Sequence, residues 1–370
     1  MLRKFAVENF KPFKERFVFD LSKPGNYEFS SDCVKDGIIS KGAIYGINGI
    51  GKSNFGLAVF DIVNTLTNKA KELDRYKAFL NLNSKKQYAK FEYEFSFSNH
   101  ILCYTYSKKS VNELIEESIK IDDKEMLYYD YINKNGFSYF KGTEKINLID
   151  ESKVSRAKFI LNTTVLDNGD EYNAVLKEFK NFVDHMLLFY SLKDNGFIGF
   201  KEMPEYVDSV IINTGKVEDF ETFLKKQGID VNLTVIDTPE GKKLYLKYDN
   251  GVINFFDKGG SSTGMVSLAL YYSWFIFLQE CSFVIIDEFD AFYHYELAEE
   301  IVRELKAFSN AQIFVTTHNT DLLSNDLLRP DCYFVLTNEK IDSLNHLTDK
   351  DLRLAHNLQK MYKGKAFQQE

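Results

Sequence analysis

The chain has 370 residues, more than one hydrophobic core usually holds, because cores stop growing near about 250 to 300 residues. One large domain with a substantial insertion, or two unequal lobes, is expected. With 44% hydrophobic and 27% charged residues, 20 Gly, 5 Pro and 33 Phe and 22 Tyr against 1 Trp, disorder and a fibrous repeat are excluded, and the formal charge of −8 excludes a uniformly basic coat, though not a local basic patch.

The opening residues read FAVENFKPF then FVFDL, two apolar runs around Lys, Pro and Glu, which predicts an antiparallel strand pair. AIYGINGIGKSN is an apolar strand running into glycines, and FGLAVFDIVNTLTNKAKEL follows with Phe60, Val63 and Leu66 as a helical stripe. From about 76 to 256 the pattern changes. FEYEFSF and ILCYTY alternate around SNH, and LYYDYI and FSYF flank Asn135-Gly136, all hairpin signals. Residues 170 to 190 carry Val175, Phe179 and Val183 at helical spacing and predict a helix. LTVIDT and KLYLKY flank Pro239-Glu240-Gly241, and VINFF follows Asp249-Asn250-Gly251. The last third alternates again: a helix over Met265 to Glu280, the buried strand FVIIDE, a helix over HYELAEEIVRELKAF, then the strands QIFVTT and YFVL. Such alternation implies a parallel sheet covered by helices.

Cys33, Cys103, Cys281 and Cys332 stand far apart with no CxxC pair, so neither a zinc site nor a disulfide framework is expected and a reducing cytoplasm fits. No apolar run has signal-peptide or membrane-spanning length; the longest, Met265 to Leu278, is interrupted by Ser267 and Ser273.

Four segments carry chemistry. Gly46-Ile-Asn-Gly-Ile-Gly-Lys-Ser53 satisfies GxxxxGK[ST] between a predicted strand and a predicted helix. Glycines let backbone amides converge on phosphate oxygens, Lys52 reaches the β- and γ-phosphates, and Ser53 offers a hydroxyl to Mg2+. Phe283-Val-Ile-Ile-Asp287-Glu288 delivers two carboxylates to the carboxyl end of the sheet. Asp287 suits the metal and Glu288 suits the water that attacks the γ-phosphate. Phe314-Val-Thr-Thr-His318-Asn319 ends the next strand with a histidine that can face the γ-phosphate. Gly259-Gly-Ser-Ser-Thr-Gly-Met265 opens the apolar helix and reads either as an anion-binding helix start or as a simple N-cap by Ser261, Ser262 or Thr263.

In this order, with FxxENFKPFKE ahead of them and THNTDLLSNDLLRPD behind, these segments resemble the ATP-binding-cassette-like ATPases of the SMC, RecF and OLD group. The nearest likeness is to the short ATPases of abortive-infection and other phage-defence systems. The likeness covers roughly residues 1 to 70 and 255 to 345. It implies an α/β fold, an ABC-ATPase-like P-loop core with antiparallel N-terminal strands, helices on its faces and a large α+β insertion. The implied parts are 1–75 with the Walker A loop, 76–256 as an inserted lobe, 257–345 with signature, Walker B and histidine switch, and 346–370 as an extension. ATP and Mg2+ are the implied cofactors. Gly46, Asn48, Gly49, Gly51, Lys52, Ser53 and Asn54 would hold the nucleotide, Ser53 and Asp287 the metal, and Lys52, Glu288 and His318 would serve hydrolysis.

The same likeness implies a homodimer or higher oligomer, with ATP between the loop of one subunit and Ser262 and Gly264 of the other. Here the signature reads SSTGM against a usual S-x-G-[TQ], so Met265 departs from the pattern. Asp290 or Tyr293 stands where a D-loop would cross the interface, and Gln87 is the one glutamine near a Q-loop position, ahead of its strand when it should follow one. No long heptad segment, HExxH or GxSxG is present, and the chain ends soon after His318. Any nuclease or toxin activity is therefore expected in a separate effector protein. A RecF-like DNA-binding ATPase and a nucleotide-dependent scaffold are the alternatives.

Overall fold

A computed structural model of the chain describes residues 1–69, 73–149, 154–190, 197–199, 207–291 and 295–367. Five strands run parallel at its centre in the order Met186–Tyr190, Phe283–Asp287, Gln312–Thr317, Lys41–Tyr45 and Tyr333–Leu336. Phe197–Gly199 and Ile341–Ser343 close the two edges antiparallel. The runs MLLFY, FVIID and QIFVTT are buried at every position, as strands covered on both faces must be. The predicted helix over 170 to 190 is therefore shorter than expected. It ends at Asp184, and Met186–Tyr190 is a strand of the central sheet, because five unbroken apolar residues satisfy a buried strand as well as a helix.

A second, antiparallel sheet has the order Asn135–Ser138, Lys124–Asp130, Glu113–Ile121, His100–Ser110, Ala89–Phe97, Leu2–Glu8, Phe17–Asp20. Its strand Ala89–Phe97 alternates strictly between buried and half-buried residues, the mark of one covered face. The expected boundaries at 76 and 256 thus do not coincide with sheet boundaries. The hairpins after residue 76 extend the sheet begun by Leu2–Glu8, and Met186–Tyr190 pairs with Phe283–Asp287. The Asn135-Gly136 dipeptide opens its strand, and the turn lies over 131–134.

The helix Lys52–Val59 lies between the sheets. Phe55 meets Phe19 of the antiparallel sheet at 5.2 Å between centroids, and a Cβ on Gly56 would stand 3.1 Å from Leu188 Cδ1 of the parallel one. Phe19 also meets Phe314 and Phe334, at 5.4 and 5.0 Å, so the aromatic residues counted in the sequence bond the two sheets. Gln312 does so with hydrogen bonds, its amide accepting from Leu2 N at 2.7 Å and donating to Leu2 O at 2.9 Å. The expected single helix after the glycine loop breaks at Phe60 into Lys52–Val59 and Asp61–Leu66, and residues 70–72 of the expected run lie outside the described ones.

A three-stranded sheet, Leu233–Thr238, Gly241–Tyr248 and Gly251–Asn254, and the helices Val207–Asn213 and Val217–Lys226 carry the apolar helix Thr263–Phe277. Phe220 and Phe223 meet its Tyr272 at 5.0 and 5.2 Å. Tyr295–Lys306 is the amphipathic helix expected after the carboxylates. Among the described residues no helix is long and apolar enough to cross a membrane, and all four cysteines are free.

Candidate functional site

The loop Gly46–Gly51 leaves the carboxyl end of Lys41–Tyr45 and turns into the helix Lys52–Val59 through Gly51, whose φ of 113° is open to glycine and strained for other residues. Gly46 is needed for space, since a Cβ there would lie 2.8 Å from Ile50 Cγ2. No side chain caps this helix, so its first-turn amides and dipole face the loop, an arrangement suited to phosphate. Lys52 is 4% exposed and curls back to donate to Gly46 O at 3.0 Å. Asn48 and Gly49 form the exposed tip of the loop and Asn54 lies half-buried on the first helical turn.

Next to the loop strand lies Gln312–Thr317, and beyond it Phe283–Asp287. This order brings Ser53 and Asp287 together across 234 residues of chain, Ser53 Oγ donating to Asp287 Oδ2 at 2.6 Å. Thr316, fully buried, donates its hydroxyl to Asp287 Oδ1 at 2.6 Å and accepts from Glu288 N at 2.8 Å. Glu288 has a φ of 53°, and its carboxylate stands between Lys52 and His318, 3.4 Å from Lys52 Nζ and 3.2 Å from His318 Nδ1. His318 is the exposed member, with 55% of its side chain open to solvent. Thr317 donates to Asp290 Oδ2 at 2.8 Å, and burial pushes the Asp290 carboxyl above the usual range against that bond.

A Mg2+ ion requires hard oxygen donors. Ser53 Oγ and Asp287 Oδ2 are such donors on neighbouring elements, and Thr316 fixes the carboxylate's rotation, so the pair fits the ion. Among the described residues no three His, Cys, Asp or Glu side chains converge on one point; an ion held here would need further ligands from phosphate and water.

The structure thus gathers Lys52, Ser53, Asp287, Glu288 and His318. It does not gather Ser262 and Gly264 with them through any hydrogen bond or ion pair among the described residues. Ser262 is exposed and caps its own helix, accepting from Met265 N at 3.2 Å. Gln87 is exposed in the turn before Ala89–Phe97, donating to Lys85 O at 3.2 Å. Tyr293 lies outside the described residues. Thr316 and Thr317 carry no motif of their own, and their one signal in the sequence is a Thr-Thr pair ahead of the histidine, on alternate faces of a strand aligned with the carboxylates.

Fold and site together define a P-loop nucleotide-binding α/β protein. Residues 43–324 match the family described as "AAA domain, putative AbiEii toxin, Type IV TA system", and the chain belongs to that family, one of P-loop ATPases. No curated protein matches it. The solved structures similar to it include the SMC head domain from Thermotoga maritima, at 15% identity and a TM-score of 0.45 over 92% of this chain and 98% of that one. An Smc head bound to the C-terminal winged-helix domain of ScpA is similar at 15% identity and a TM-score of 0.47, over 93% and 97%. The recombination mediator RecF with ATP is similar at 14% and 0.41, over 93% and 99%. At this identity no residue role passes from them to this chain.

Proposed function

We propose that this protein binds and hydrolyses ATP with Mg2+ in a dimer that closes on the nucleotide, and that the closure controls a separate effector protein in phage defence. The carrying observation is the convergence of Lys52, Ser53, Asp287, Glu288 and His318 at the carboxyl end of the parallel sheet, within 2.6 to 3.4 Å of one another as linked pairs. Lys52 and the loop amides bind and neutralise the β- and γ-phosphates, and Ser53 and Asp287 hold the metal side. A metal held by Ser53 and Asp287 would supply positive charge against the phosphates. Glu288 takes the proton of the attacking water, and His318 orients that water and faces the γ-phosphate.

Ser262 and Gly264 act in trans, on nucleotide held by the partner's loop. The exposure of Ser262 at the start of Thr263–Phe277 supports this. The toxin and type IV toxin–antitoxin description of the family supports the defence role.

Phosphate release measured at rising protein concentration tests the reading. Turnover per chain should rise with concentration, Lys52→Ala should lose nucleotide affinity, and Glu288→Gln should retain ATP and remain dimeric in sedimentation while turnover falls by about 100-fold or more. Turnover independent of concentration would remove the dimer. Normal turnover in Glu288→Gln would remove the mechanism.

A further inference from the structure

Arg75 and Tyr190 stand beside the nucleotide site but outside the set Lys52, Ser53, Asp287, Glu288 and His318. Tyr190 is the ladder partner of Asp287 in the neighbouring parallel strand. Such partners point to the same face of a sheet, and here that is the face covered by the phosphate-loop helix. Gly56 stands against Leu188, two residues before Tyr190, and Ser53 bonds Asp287. The Tyr190 ring, 1% exposed, is thus a wall of the site on the side of Asp287 away from His318.

Arg75 comes from the turn Leu73–Tyr76, which is packed on the loop helix by Tyr76, whose hydroxyl donates to Leu57 O at 3.4 Å. Its guanidinium lies over the Tyr190 ring with Cζ 3.9 Å from the centroid. Burial raises the Tyr190 phenol well above its ordinary value, the Arg75 charge opposes that shift, and the Asp287 charge adds to it. A cation and the carboxylate on the metal side therefore flank one ring. With neighbouring strands about 4.8 Å apart, the two charges stand within about one Debye length, ~10 Å.

Asp287, Glu288 and Asp290 make this end of the sheet acidic. Lys52 answers Glu288 directly, and Arg75, stacked on Tyr190, brings a second positive charge to the side of Asp287. We propose that Arg75, seated on Tyr190, is a positioning residue that keeps a divalent cation from settling on Ser53 and Asp287 until nucleotide phosphates outweigh its charge. The inference rests on the reading of Ser53 and Asp287 as the metal side of an ATP site. A planar guanidinium suits the seat because it stacks on an aromatic face while keeping its charge.

Mn2+ binding to the full chain, followed by electron paramagnetic resonance with and without ATP, tests it without recourse to turnover. Removing one positive charge about 10 Å from a divalent ion at an effective dielectric near 40 changes affinity by roughly tenfold. Arg75→Gln should therefore bind Mn2+ without nucleotide about tenfold more tightly than the wild type, Arg75→Lys should stay near the wild type, and Tyr190→Phe, which keeps the ring, should do the same. Tyr190→Leu removes the seat and should also tighten binding, which keeps the proposal testable if Arg75→Gln does not fold. Mn2+ affinity within twofold of the wild type in both Arg75→Gln and Tyr190→Leu overturns it. Adding Asp287→Asn separates this failure from that of the underlying reading. If ATP-dependent Mn2+ binding survives Asp287→Asn, the metal side itself is misplaced; if it is lost while Arg75→Gln changes nothing, only the role of Arg75 falls.

Discussion

Thr316→Val removes one hydroxyl and almost no volume, yet that hydroxyl is the strut under the Asp287 carboxylate and the Glu288 backbone. It donates to Asp287 Oδ1 at 2.6 Å and accepts from Glu288 N at 2.8 Å, in a residue with no exposure. A hydrogen bond to a charged group contributes about 1.5–3 kcal/mol, and a buried N–H left unpartnered costs about 1–3 kcal/mol. Allowing for overlap, the loss is about 3 kcal/mol. At about 2.1 cal/mol/K per residue, 370 residues give an unfolding entropy of about 780 cal/mol/K, so the melting midpoint should fall by about 4 °C. The effect on turnover should be larger, about 10- to 100-fold, because groups that orient metal-binding and catalytic side chains typically cost that much when removed. Calorimetry and steady-state phosphate release measure the two effects, and Thr316→Ser, which keeps both bonds, should restore most of each. Turnover within twofold of the wild type in Thr316→Val, or a serine variant no better than the valine one, would refute the strut.

Two further perturbations test the packing that holds the site. Lys41, 3% exposed, donates to Ala311 O at 2.7 Å, and burial pulls its pKa down to about 8. Because the folded value lies below the ordinary one, the unfolded chain binds more protons between pH 8 and 10.5, so folding stability rises with pH across that window. The wild type should gain up to about 3 kcal/mol over Lys41→Met between pH 7.5 and 10.5 in denaturant unfolding; a constant difference would show that Lys41 is solvated. Lys108 is buried with Asp61, Nζ to Oδ2 2.9 Å, and also donates to Thr65 Oγ1 at 3.0 Å. Lys108→Met should cost about 3–5 kcal/mol by stranding the carboxylate, and the double variant with Asp61→Leu should recover much of that loss; a double variant as unstable as the single one would show that the pair is not the cause.

The phosphate loop, the tandem carboxylates and the histidine were legible in the sequence because each is local, an apolar strand with its functional residues in the next few positions. What joins them was not. Thr316 matters through Asp287, 29 residues away along the chain, and Tyr190 through its register with Asp287, which only strand order decides. The run MLLFY carried no sign of which sheet it would join, and its place beside Phe283–Asp287 is what threads the middle of the chain through the core. The hairpins between 89 and 138 were legible one by one. Their attachment to Leu2–Glu8 was not, since pairing of the first hairpin with the opening strand depends on which sheet edge is free.

Glu288 shows how one backbone angle completes the site. In an extended strand consecutive side chains point to opposite faces, so with Asp287 turned toward Ser53 the next carboxylate would leave on the far side of the sheet. The φ of 53° at Glu288 breaks that alternation and lets its carboxylate stand between Lys52 and His318. A non-glycine residue in this region costs about 1–2 kcal/mol, and the hydrogen bond from Glu288 N to Thr316 Oγ1 offsets part of it. A glycine would be easier on the backbone but would bring no carboxylate. The strain, the buried threonine and the flanking Lys52 and His318 therefore belong to a single arrangement, in which the strand ends at Asp287 so that two adjacent acids can serve the carboxyl end of the sheet.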